Sequence, residues 1–377
     1  MERFGFVGLP NAGKSSLFNS LAGGGALAAP YAFATTDPNV GVARVPDPRL
    51  DALAEMSGSR RVVPTTTEFI DIGGLVEGAS KGEGLGNRFL AGIREVDAIV
   101  FVLRAFSDAD VPGPADPLEH LRIVETELTL ADLESVDSRI GRRRKASRSQ
   151  PSDTAPAEEV AALDAALEHL AAGTPLYRAW PLGDKRDGAD QHPRRSSQEY
   201  PHRAALRSHF LLTDKPVMAV LNLGEDQLDA ASELAAPIEA ELPGATVLPL
   251  CVQLEAEAAQ LAGAERTELL EGLGLGEGAL ERFVAAAHGL LGLRTFLTTG
   301  EKESRAWTFR AGWRAPQCAG RIHTDFERGF IRAEVIDWAE LLDLGSWSAA
   351  RDAGRLRVEG KEYPMRDGDV VEFRFNV

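Results

Sequence analysis

The sequence predicts an α/β fold in which a mostly parallel sheet carries helices on both faces, interrupted by a helical hairpin and followed by a smaller α+β module. Three observations support this prediction. A buried strand at Phe4–Val7 runs through a glycine-rich turn into a helix at Lys14–Leu21. Four more short apolar runs follow. Between Leu103 and Val217 the apolar spacing changes to that of helices.

The four later apolar runs are each flanked by loop residues, and most are rich in Val and Ile. Such runs are typical of central strands in a parallel sheet that is covered on both faces. They span Glu68–Ile72, Ala98–Leu103, Val217–Asn222 and Thr246–Leu250.

The stretch between the third and fourth strands predicts two amphipathic helices. Their apolar positions are Leu121, Val124, Leu128 and Ala131, and then Val160, Leu163, Leu167 and Leu170. A polar linker lies between them, so we expect an antiparallel helical hairpin inserted into the sheet domain, with its tip near residues 141–156. The polar segment Pro181–Pro201 is predicted to be a long, mobile loop, and no role is assigned to it.

From about Leu293, short strand-like pieces alternate with turn signals such as Asp367-Gly368. The strands are expected at Ala306–Arg310, Phe330–Val335 and Val370–Phe375. This pattern predicts the small α+β module at the end of the chain.

The composition of the chain limits which classes of function it can have. The 377 residues are enough for two or three domains, and a hydrophobic fraction of 44% is ordinary for a folded globular protein. The net charge of −16 argues against wrapping nucleic acid with the whole surface, and no DNA partner is expected. The chain has no apolar run that fits a membrane span and no signal-peptide pattern, which favours the cytoplasm. Cys251 and Cys318 lack a zinc-binding pattern and are predicted to be small buried side chains.

The segment Gly8-Leu9-Pro10-Asn11-Ala12-Gly13-Lys14-Ser15 fits the P-loop pattern G-x-x-x-x-G-K-[ST] between a strand and a helix. Backbone N–H groups of the turn and the helix N-terminus favour phosphate, and Lys14 reaches the β- and γ-phosphates. The Ser15 hydroxyl can ligate Mg²⁺. The motif therefore predicts a nucleoside triphosphate site with Mg²⁺ as cofactor.

Two switch sequences follow the P-loop. Thr35 lies after the first helix, where a loop hydroxyl would add a second Mg²⁺ ligand, and Thr36 is a close alternative. The sequence Asp71-Ile72-Gly73-Gly74 ends a strand with D-x-x-G, which puts Asp71 near Mg²⁺ and lets the Gly74 N–H sense the γ-phosphate. Leu75 stands where signalling GTPases carry the glutamine that orients water, so slow intrinsic hydrolysis is expected.

Base recognition departs from the guanine-binding pattern N-K-x-D. The fourth strand is followed by Asn222-Leu223-Gly224-Glu225, without the aspartate that accepts two hydrogen bonds from guanine. Asn222 can still bridge to the base edge, and the Leu223 carbonyl can accept from the exocyclic amine of adenine, so ATP becomes plausible. The alternative is that Asn222 only caps the end of its strand.

Together these motifs resemble those of YchF proteins in the Obg-like GTPase family. The resemblance rests on GLPNAGKSSLFN, FATTDPNVGVARVPD, DIGGLVEGASKGEGLGNRFL, ETELTLADLES and NLGE, and it covers nearly the whole chain. The end of the chain, from RAWTFRAGW to VVEFRFNV, resembles the ubiquitin-like TGS domain that closes these proteins.

The resemblance implies a nucleotide-binding domain at residues 1–117 and 204–292, an inserted helical coiled-coil domain at 118–203, and a TGS domain at 293–377. It also implies a preference for ATP over GTP and association with the ribosome. It places the phosphates against Asn11, Ala12, Gly13, Lys14, Ser15 and Ser16, the Mg²⁺ against Ser15 and Thr35, and the base against Asn222, Leu223 and Glu225. Asn11 would also help to bind K⁺.

Two departures from the family pattern bear on the site. Family members carry a hydrolysis-linked histidine in the loop after the third strand, whereas Ser107–Pro114 has none. His120, on the first helix of the insert, is the candidate substitute, and no catalytic residue is assigned. Cys251-Val252 replaces the usual Ser-Ala near the base, where backbone contacts can persist.

The densest basic cluster lies near the predicted hairpin tip and includes Arg142, Arg143, Arg144 and Lys145. It either contacts ribosomal RNA phosphates or is simply a solvated face. The TGS domain is the other expected ribosome contact. The sequence favours a slow ATPase that acts as a switch on the ribosome. The alternatives are a ribosome- or RNA-binding module with negligible hydrolysis and a conventional GTP-specific Obg-like GTPase; a P-loop kinase is disfavoured.

Overall fold

A computed structural model describes most of the chain. It describes residues 2–22, 39–72, 85–108, 111, 115–149, 155–180, 201–261, 264–272 and 278–376. The predictions for Thr35, Thr36, Gly73, Gly74 and Leu75 lie outside these residues. Of the loop predicted at Pro181–Pro201, only Pro201 is described, and it begins a helix.

Every strand predicted from the sequence is present, within one or two residues of its expected ends. The strands are β1 Arg3–Val7, β2 Val40–Arg44, β3 Val62–Val63, β4 Thr66–Asp71, β5 Ala98–Arg104, β6 Val217–Asn222, β7 Val247–Leu250, β8 Leu293–Thr298, β9 Ser304–Arg310, β10 Phe330–Asp337, β11 Arg357–Glu359 and β12 Asp369–Phe375.

The α-helices are numbered in chain order, and the first and the two of the insert match the predicted ones. They are α1 Lys14–Ala22, α2 Pro48–Ser57, α3 Leu85–Glu95, α4 Pro117–Ser149, α5 Ala155–Ala171, α6 Leu176–Ala179, α7 Pro201–Leu206, α8 Ala231–Glu241, α9 Val252–Ala258, α10 Ala264–Gly272, α11 Ala279–Leu290, α12 Ala315–Ile322, α13 Thr324–Arg328, α14 Trp338–Leu344 and α15 Trp347–Asp352. Short 3₁₀ turns lie at Arg207–His209 and Glu225–Ala230.

No helix in the described part of the chain is long and apolar enough to cross a bilayer.

The chain divides into two compact units. The first unit comprises Met1–Ala43 and Thr67–Leu290, and the second unit comprises Arg44–Thr66 and Leu291–Val377. This division differs from the predicted domain boundaries in one segment, residues 44–66, which the sequence assigned by continuity to the nucleotide-binding domain. The three-domain boundaries stay a prediction.

The first unit is built on a six-stranded sheet with the order β2-β4-β1-β5-β6-β7. The pairings of β1 with β4 and β5, of β5 with β6, and of β6 with β7 are parallel. Strand β5 is buried at every position, and Phe101 and Leu103 lie in the main core cluster. This confirms the predicted α/β fold.

Helix α4 spans two environments. Its first half packs Leu121, Val124 and Leu128 into the sheet core. Its second half packs Val136 and Ile140 against α5, in a core cluster that includes Leu163, Ala166 and Leu170. At the changeover the buried Asp132 carboxylate accepts hydrogen bonds from the Leu212 and Thr213 N–H groups and the Thr213 hydroxyl.

The end of α4 and the start of α5 both lie within the predicted hairpin tip, residues 141–156. Helix α4 continues to Ser149, and α5 begins at Ala155. Arginine, lysine and alanine are good helix formers, and a proline such as Pro156 is tolerated in a first helical turn. The basic cluster therefore lies on a helix rather than in a loop.

The second unit contains a mixed sheet with the order β11-β10-β12-β8-β9-β3. Its two cores lie on opposite sheet faces, one around Phe296 and Phe373 and the other around Leu297 and Ile336. Helix α2 contributes Leu50 and Leu53 to the second of these cores, and β3 pairs with β9. The predicted α+β module is thus present and is completed by residues from an early part of the chain.

Candidate nucleotide-binding site

Four chain segments, which follow β1, β5, β6 and β7, meet at the carboxyl edge of the first unit's sheet. The register places Phe6 opposite Asp71, Arg104 opposite Asn222, and Asn222 opposite Leu250, so the turns after these strands share one edge. They enclose a cavity of about 930 Å³, which is a typical size for a small-molecule site. Its wall is formed by Asn11, Gly13, Lys14, Ser15, Ser16, Phe106, Ser107, Asp108, Val111, Asn222, Leu223, Gly224, Glu225, Asp226, Cys251, Val252, Gln253 and Ala256.

The P-loop curls through two left-handed backbone positions. Asn11 has a φ of 62° and Gly13 a φ of 97°. Asparagine tolerates this region better than most residues. At Gly13 a side chain is also excluded by space, because a Cβ there would lie 2.3 Å from Asn222 Nδ2. The glycine is therefore needed both for its backbone angle and for the close approach of Asn222.

Lys14 provides a buried positive charge at the start of α1. Its side chain is only 6% exposed, and its Nζ donates a hydrogen bond to the Leu9 carbonyl at 2.7 Å. Burial lowers the pKa of Lys14 to about 8, partly offset by the charge of Asp71. An ammonium group in this setting gains from an anion at the mouth of the loop.

Ser15 and Asp71 form the acidic end of the site. The Ser15 hydroxyl donates to Asp71 Oδ2 at 2.6 Å, although the two residues lie on α1 and at the end of β4. A hydroxyl and a carboxylate oxygen in contact are hard donors that suit Mg²⁺. This contact fits the predicted Mg²⁺ site, and metal binding by Ser15 with Asp71 nearby stays a prediction.

Asn222 ties three parts of the site together. Its Nδ2 donates to the Ala12 carbonyl at 3.0 Å, and its Oδ1 accepts from the Val252 N–H at 3.1 Å. The side chain is 4% exposed. Its polar atoms are thus used to join the P-loop to the turn after β7. These two bonds were not predicted from the sequence, and the contact of Asn222 with the base edge stays a prediction.

The wall beyond Asn222 is formed by Leu223, Gly224 and Glu225, the residues predicted near the base. The turn is fixed by bonds from the Leu223 N–H to the Leu250 carbonyl and from the Gly224 N–H to Gln227. Gln227 in turn donates to the Ala105 carbonyl. This end of the cavity is therefore a braced pair of turns, and their contact with a base stays a prediction.

Phe106 is a wall residue that sequence reasoning missed. It directly follows β5, and its N–H donates to the Asn222 carbonyl at 3.2 Å. The Arg104 guanidinium lies 4.8 Å from the Phe106 ring centroid, and Arg104 Nε donates to the Phe106 carbonyl. An aromatic residue just past the carboxyl end of a buried strand was the available signal. Phe106 is half-buried, and it adds an aromatic residue to the cavity wall.

The structure does not place His120 at the site. Its side chain is 4% exposed on α4, next to Leu121 in the sheet core, and it is absent from the cavity wall described above. Helix α4 begins at Pro117 and turns this position inward. The suggestion that His120 replaces the family's loop histidine is therefore not supported.

The two cysteines are buried, as predicted. Cys251 lies on the cavity wall beside Val252, and burial raises the pKa of its thiol. Cys318 lies in the second unit's core, and burial raises the pKa of its thiol as well. Both thiols are therefore kept neutral.

Two family models match the chain. The model described as "50S ribosome-binding GTPase" matches residues 3–136, and the C-terminal model of YchF GTPases, described as a protein of unknown function, matches residues 293–376. The second match coincides with the C-terminal segment of the second unit and leaves residues 44–66 outside it.

Full-length relatives show the same relationship. The ribosome-binding ATPase YchF of Bacillus subtilis is 44% identical over 381 residues, covering 99% of both chains. The protein of the same name from Escherichia coli O157:H7 is 44% identical over 382 residues, again covering 99% of both. The solved structure of the Schizosaccharomyces pombe YchF GTPase is 33% identical with a TM-score of 0.82, covering 99% of this chain and 97% of that one. With its P-loop, its Asn222 turn and these end-to-end matches, the chain belongs to the YchF family.

Proposed function

We propose that the chain is a slow, Mg²⁺-dependent ATPase whose nucleotide state controls its binding to ribosomes in the cytoplasm. The observation that carries this proposal is a cavity that is lined both by the P-loop and by the turns predicted to contact the base. The relatives from Bacillus subtilis and Escherichia coli are named ribosome-binding ATPases, which supports extending both properties to this chain.

The anion end supports triphosphate binding. Lys14 supplies a buried cation, and the N-terminus of the nine-residue helix α1 adds its dipole. When Mg²⁺ is bound, it neutralises phosphate charge. Ser15 would hold the metal through its hydroxyl oxygen, and Asp71, which accepts the hydrogen bond of that hydroxyl, would lie beside the metal.

The base end supports adenine over guanine. In the guanine pattern N-K-x-D an aspartate accepts from two adjacent N–H groups, whereas here Glu225, which is one methylene longer, takes its position and Leu223 replaces the lysine. Adenine can donate its amine to a backbone carbonyl and stack on an aromatic face. Phe106 and the Leu223 peptide on the wall suit those two requirements.

Calorimetric titration with non-hydrolysable ATP and GTP analogues in Mg²⁺ buffer tests the proposal. We expect tighter binding of the ATP analogue and loss of binding in the Lys14→Ala variant. Phe106→Ala should weaken the ATP analogue by about 5- to 100-fold, since stacking on a base is worth about 1–3 kcal/mol, and Phe106→Leu should retain part of the affinity. Tighter binding of the GTP analogue would instead indicate a conventional Obg-like GTPase.

Slow hydrolysis follows from the groups available to orient water. The described cavity wall contains acidic side chains and Gln253 but no histidine, and Leu75 replaces the usual glutamine. A single-turnover assay with and without ribosomes measures the rate directly. No hydrolysis under either condition would favour a nucleotide-dependent binding module. The proposed K⁺ contribution of Asn11 is tested by comparing KCl with NaCl in the same assay.

The ribosome contact is proposed for the exposed side of α4. Arg143 contacts Glu159 at 3.0 Å and Arg144 contacts Asp164 at 2.5 Å, both on α5. Arg142 and Lys145 are exposed and have no ion-pair partner among the described residues. Their charges are therefore more available to RNA phosphates than those of the other two.

Ribosome cosedimentation at increasing salt separates the two pairs. The variant Arg142→Ala/Lys145→Ala should bind more weakly and reduce the slope of log affinity against log salt by about one to two. The matched variant Arg143→Ala/Arg144→Ala should reduce the slope less. Equal slopes for both variants and the parent would place the contact elsewhere.

A further inference from the structure

Within the described part of the chain, the last strand of the second unit has a neighbouring strand on only one side for most of its length. Strand β12 pairs with β10 from Asp369 to Phe375. On its other side it meets β8 at one register position, Val370 opposite Leu297, and β8 ends one residue later at Thr298. The rest of β12 therefore runs past the end of β8.

Backbone hydrogen bonds show which groups face this gap. The Trp338 N–H donates to the Gly368 carbonyl, and the Asn376 N–H donates to the Gly329 carbonyl, both on the β10 side. Because backbone groups alternate along a strand, the even-numbered residues of β12 face β10 and the odd-numbered ones face away from it. The N–H and C=O groups of Phe373 and the N–H of Phe375 thus point past the end of β8.

The chain that would continue β8 turns aside. The Thr299 carbonyl, which would be the next acceptor for β12, instead accepts a hydrogen bond from Trp347 Nε1 at 3.3 Å. A cavity of about 630 Å³ lies along the exposed edge. Ile322 and Phe326 line it on one sheet face, and Trp347 and Arg351 line it on the other. This cavity lies where a further strand could pair with the second half of β12, between the side chains on the two sheet faces.

We propose that this edge binds an extended peptide segment of a protein partner, which adds as a strand beside β12. An open row of backbone donors and acceptors is the recognition element for strand addition. Alternate side chains of the peptide would then point towards the apolar wall at Phe326 and towards the wall at Trp347. The nucleotide cavity lies in the first unit, and the proposal does not depend on it.

The charges at the groove favour a peptide over RNA. Arg351 and Arg374 contact Glu334 at 3.4 Å and 3.6 Å, and Arg374 also contacts Glu372 at 3.2 Å. The local cations are thus matched by acids, whereas phosphate binding needs clustered, unmatched lysine or arginine. Backbone pairing with a peptide needs no net charge.

The test begins with the full-length chain and a phage-displayed library of random heptapeptides. The selected heptapeptide is then synthesised with a fluorescein label and titrated by anisotropy. A set of singly N-methylated versions follows. Strand addition predicts that methylation lowers affinity by about tenfold at alternate positions, where the N–H pairs with β12, and by less than about twofold at the positions between them. Losses without this alternation, or no loss, would overturn the proposal.

Two variants locate the site. Phe326→Arg should abolish heptapeptide binding because it charges the apolar wall, and Lys14→Ala should leave it unchanged. Failure to select any heptapeptide that binds the parent better than Phe326→Arg would overturn the proposal. So would binding of a 20-nucleotide oligouridylate that Phe326→Arg removes while heptapeptides do not bind. If Phe326→Arg does not fold by circular dichroism, the N-methyl series on the parent chain decides.

Discussion

Lys14 should make nucleotide binding depend on pH. Its pKa in the folded chain is about 8, below the usual 10.5, because burial disfavours the charged form. A bound triphosphate would favour the ammonium and raise this pKa again, so the complex holds more protons than the free chain above pH 8. Affinity should therefore be complete below pH 8 and fall as pH rises through that value.

Titration of the ATP analogue between pH 7 and 9.5 measures this effect. Up to about a tenfold loss of affinity per pH unit is expected above pH 8, with proton uptake seen as a dependence of the binding heat on the buffer. The Lys14→Arg variant is the control, since arginine stays charged over this range. A flat profile in the parent chain would contradict the prediction.

Alanine substitutions at Gly13 and Gly173 separate the cost of backbone strain from the cost of a steric clash. Gly13→Ala places a Cβ on Asn222 and forces alanine into a positive φ, whereas Gly173 has a φ of 76° and open space around it. Gly173→Ala should destabilise the chain by about 1–2 kcal/mol from backbone strain alone. Gly13→Ala should cost more and also weaken nucleotide binding.

Urea unfolding and analogue titration of both variants check this difference. Only Gly13→Ala should lose affinity, because it moves the Asn222 amide from the Ala12 carbonyl. If both variants lost stability equally and bound nucleotide normally, the contact between Gly13 and Asn222 would not organise the loop.

At the scale of single residues, the sequence predicted the chemical roles of side chains better than their contacts with distant residues. The P-loop and Asp71 came from short local patterns, and the structure brings Ser15 and Asp71 together. The two bonds of Asn222 reach residues 210 and 30 positions away, and no local pattern shows them. Phe106 was missed because an aromatic residue after a strand does not by itself indicate a ligand contact.

At the scale of elements, a buried ionic cluster joins α4, α6 and α8. Arg178 Nε donates to Glu125 Oε1 at 2.9 Å, and the same guanidinium also contacts Glu241. The Tyr177 hydroxyl donates to Glu125 at 2.9 Å. Burial raises the pKa of Glu125, and the charge of Arg178 opposes that shift. The cluster fixes the helical insert to the sheet helices within the first unit.

Removing Arg178 should therefore be strongly destabilising. Arg178→Ala leaves the Glu125 carboxylate buried without its cation, which costs about 3–5 kcal/mol. Arg122 contacts the same Glu241 but its side chain is 61% exposed, so Arg122→Ala should cost less than about 1 kcal/mol. Chemical unfolding at pH 7 compares the two variants.

The pH dependence gives a second check on the Arg178 variant. Without Arg178 the folded-state pKa of Glu125 rises further above its unfolded value, so its penalty is absent below pH 4.5 and grows as pH increases. The stability gap between Arg178→Ala and the parent chain should thus narrow at pH 5. A gap that stays constant with pH would mean that lost packing, and not charge burial, is responsible.

The elements themselves were largely predictable. Apolar runs and helical spacing gave the strands and both insert helices, because these patterns are local. Helix α4 ends at Ser149, within the predicted hairpin tip, because the polar linker that follows was also a local signal. The assembly of residues 44–66 with the C-terminal segment had no local signal, because their partners lie over 200 positions away.

At the scale of the whole molecule, the second unit cannot be cut at the C-terminal boundary. Leu50 and Leu53 are 2% and 0% exposed in a core shared with Leu297 and Ile336. Burying each leucine contributes about 1.5–3 kcal/mol. Their loss from a fragment of residues 291–377 would remove about 3–6 kcal/mol, close to the whole stability of a small domain.

A fragment of residues 291–377 should consequently melt at low temperature or without cooperativity. Adding a synthetic peptide of residues 44–66 should raise its melting temperature in circular dichroism, and the same peptide with Leu50→Asp and Leu53→Asp should not. A fragment that melts cooperatively, and whose melting temperature does not change when the peptide is added, would show that α2 and β3 are not needed for folding of the second unit.

The shared core of the second unit also sets an order of events during synthesis. Thr66 and Leu291 are 225 positions apart, and a ribosome adds about 5–20 residues per second. The apolar side of α2 therefore emerges roughly 10–45 s before the strands that will cover it. Throughout that interval the nascent chain displays Leu50 and Leu53, and the second unit closes only after the strands of residues 291–375 have been made.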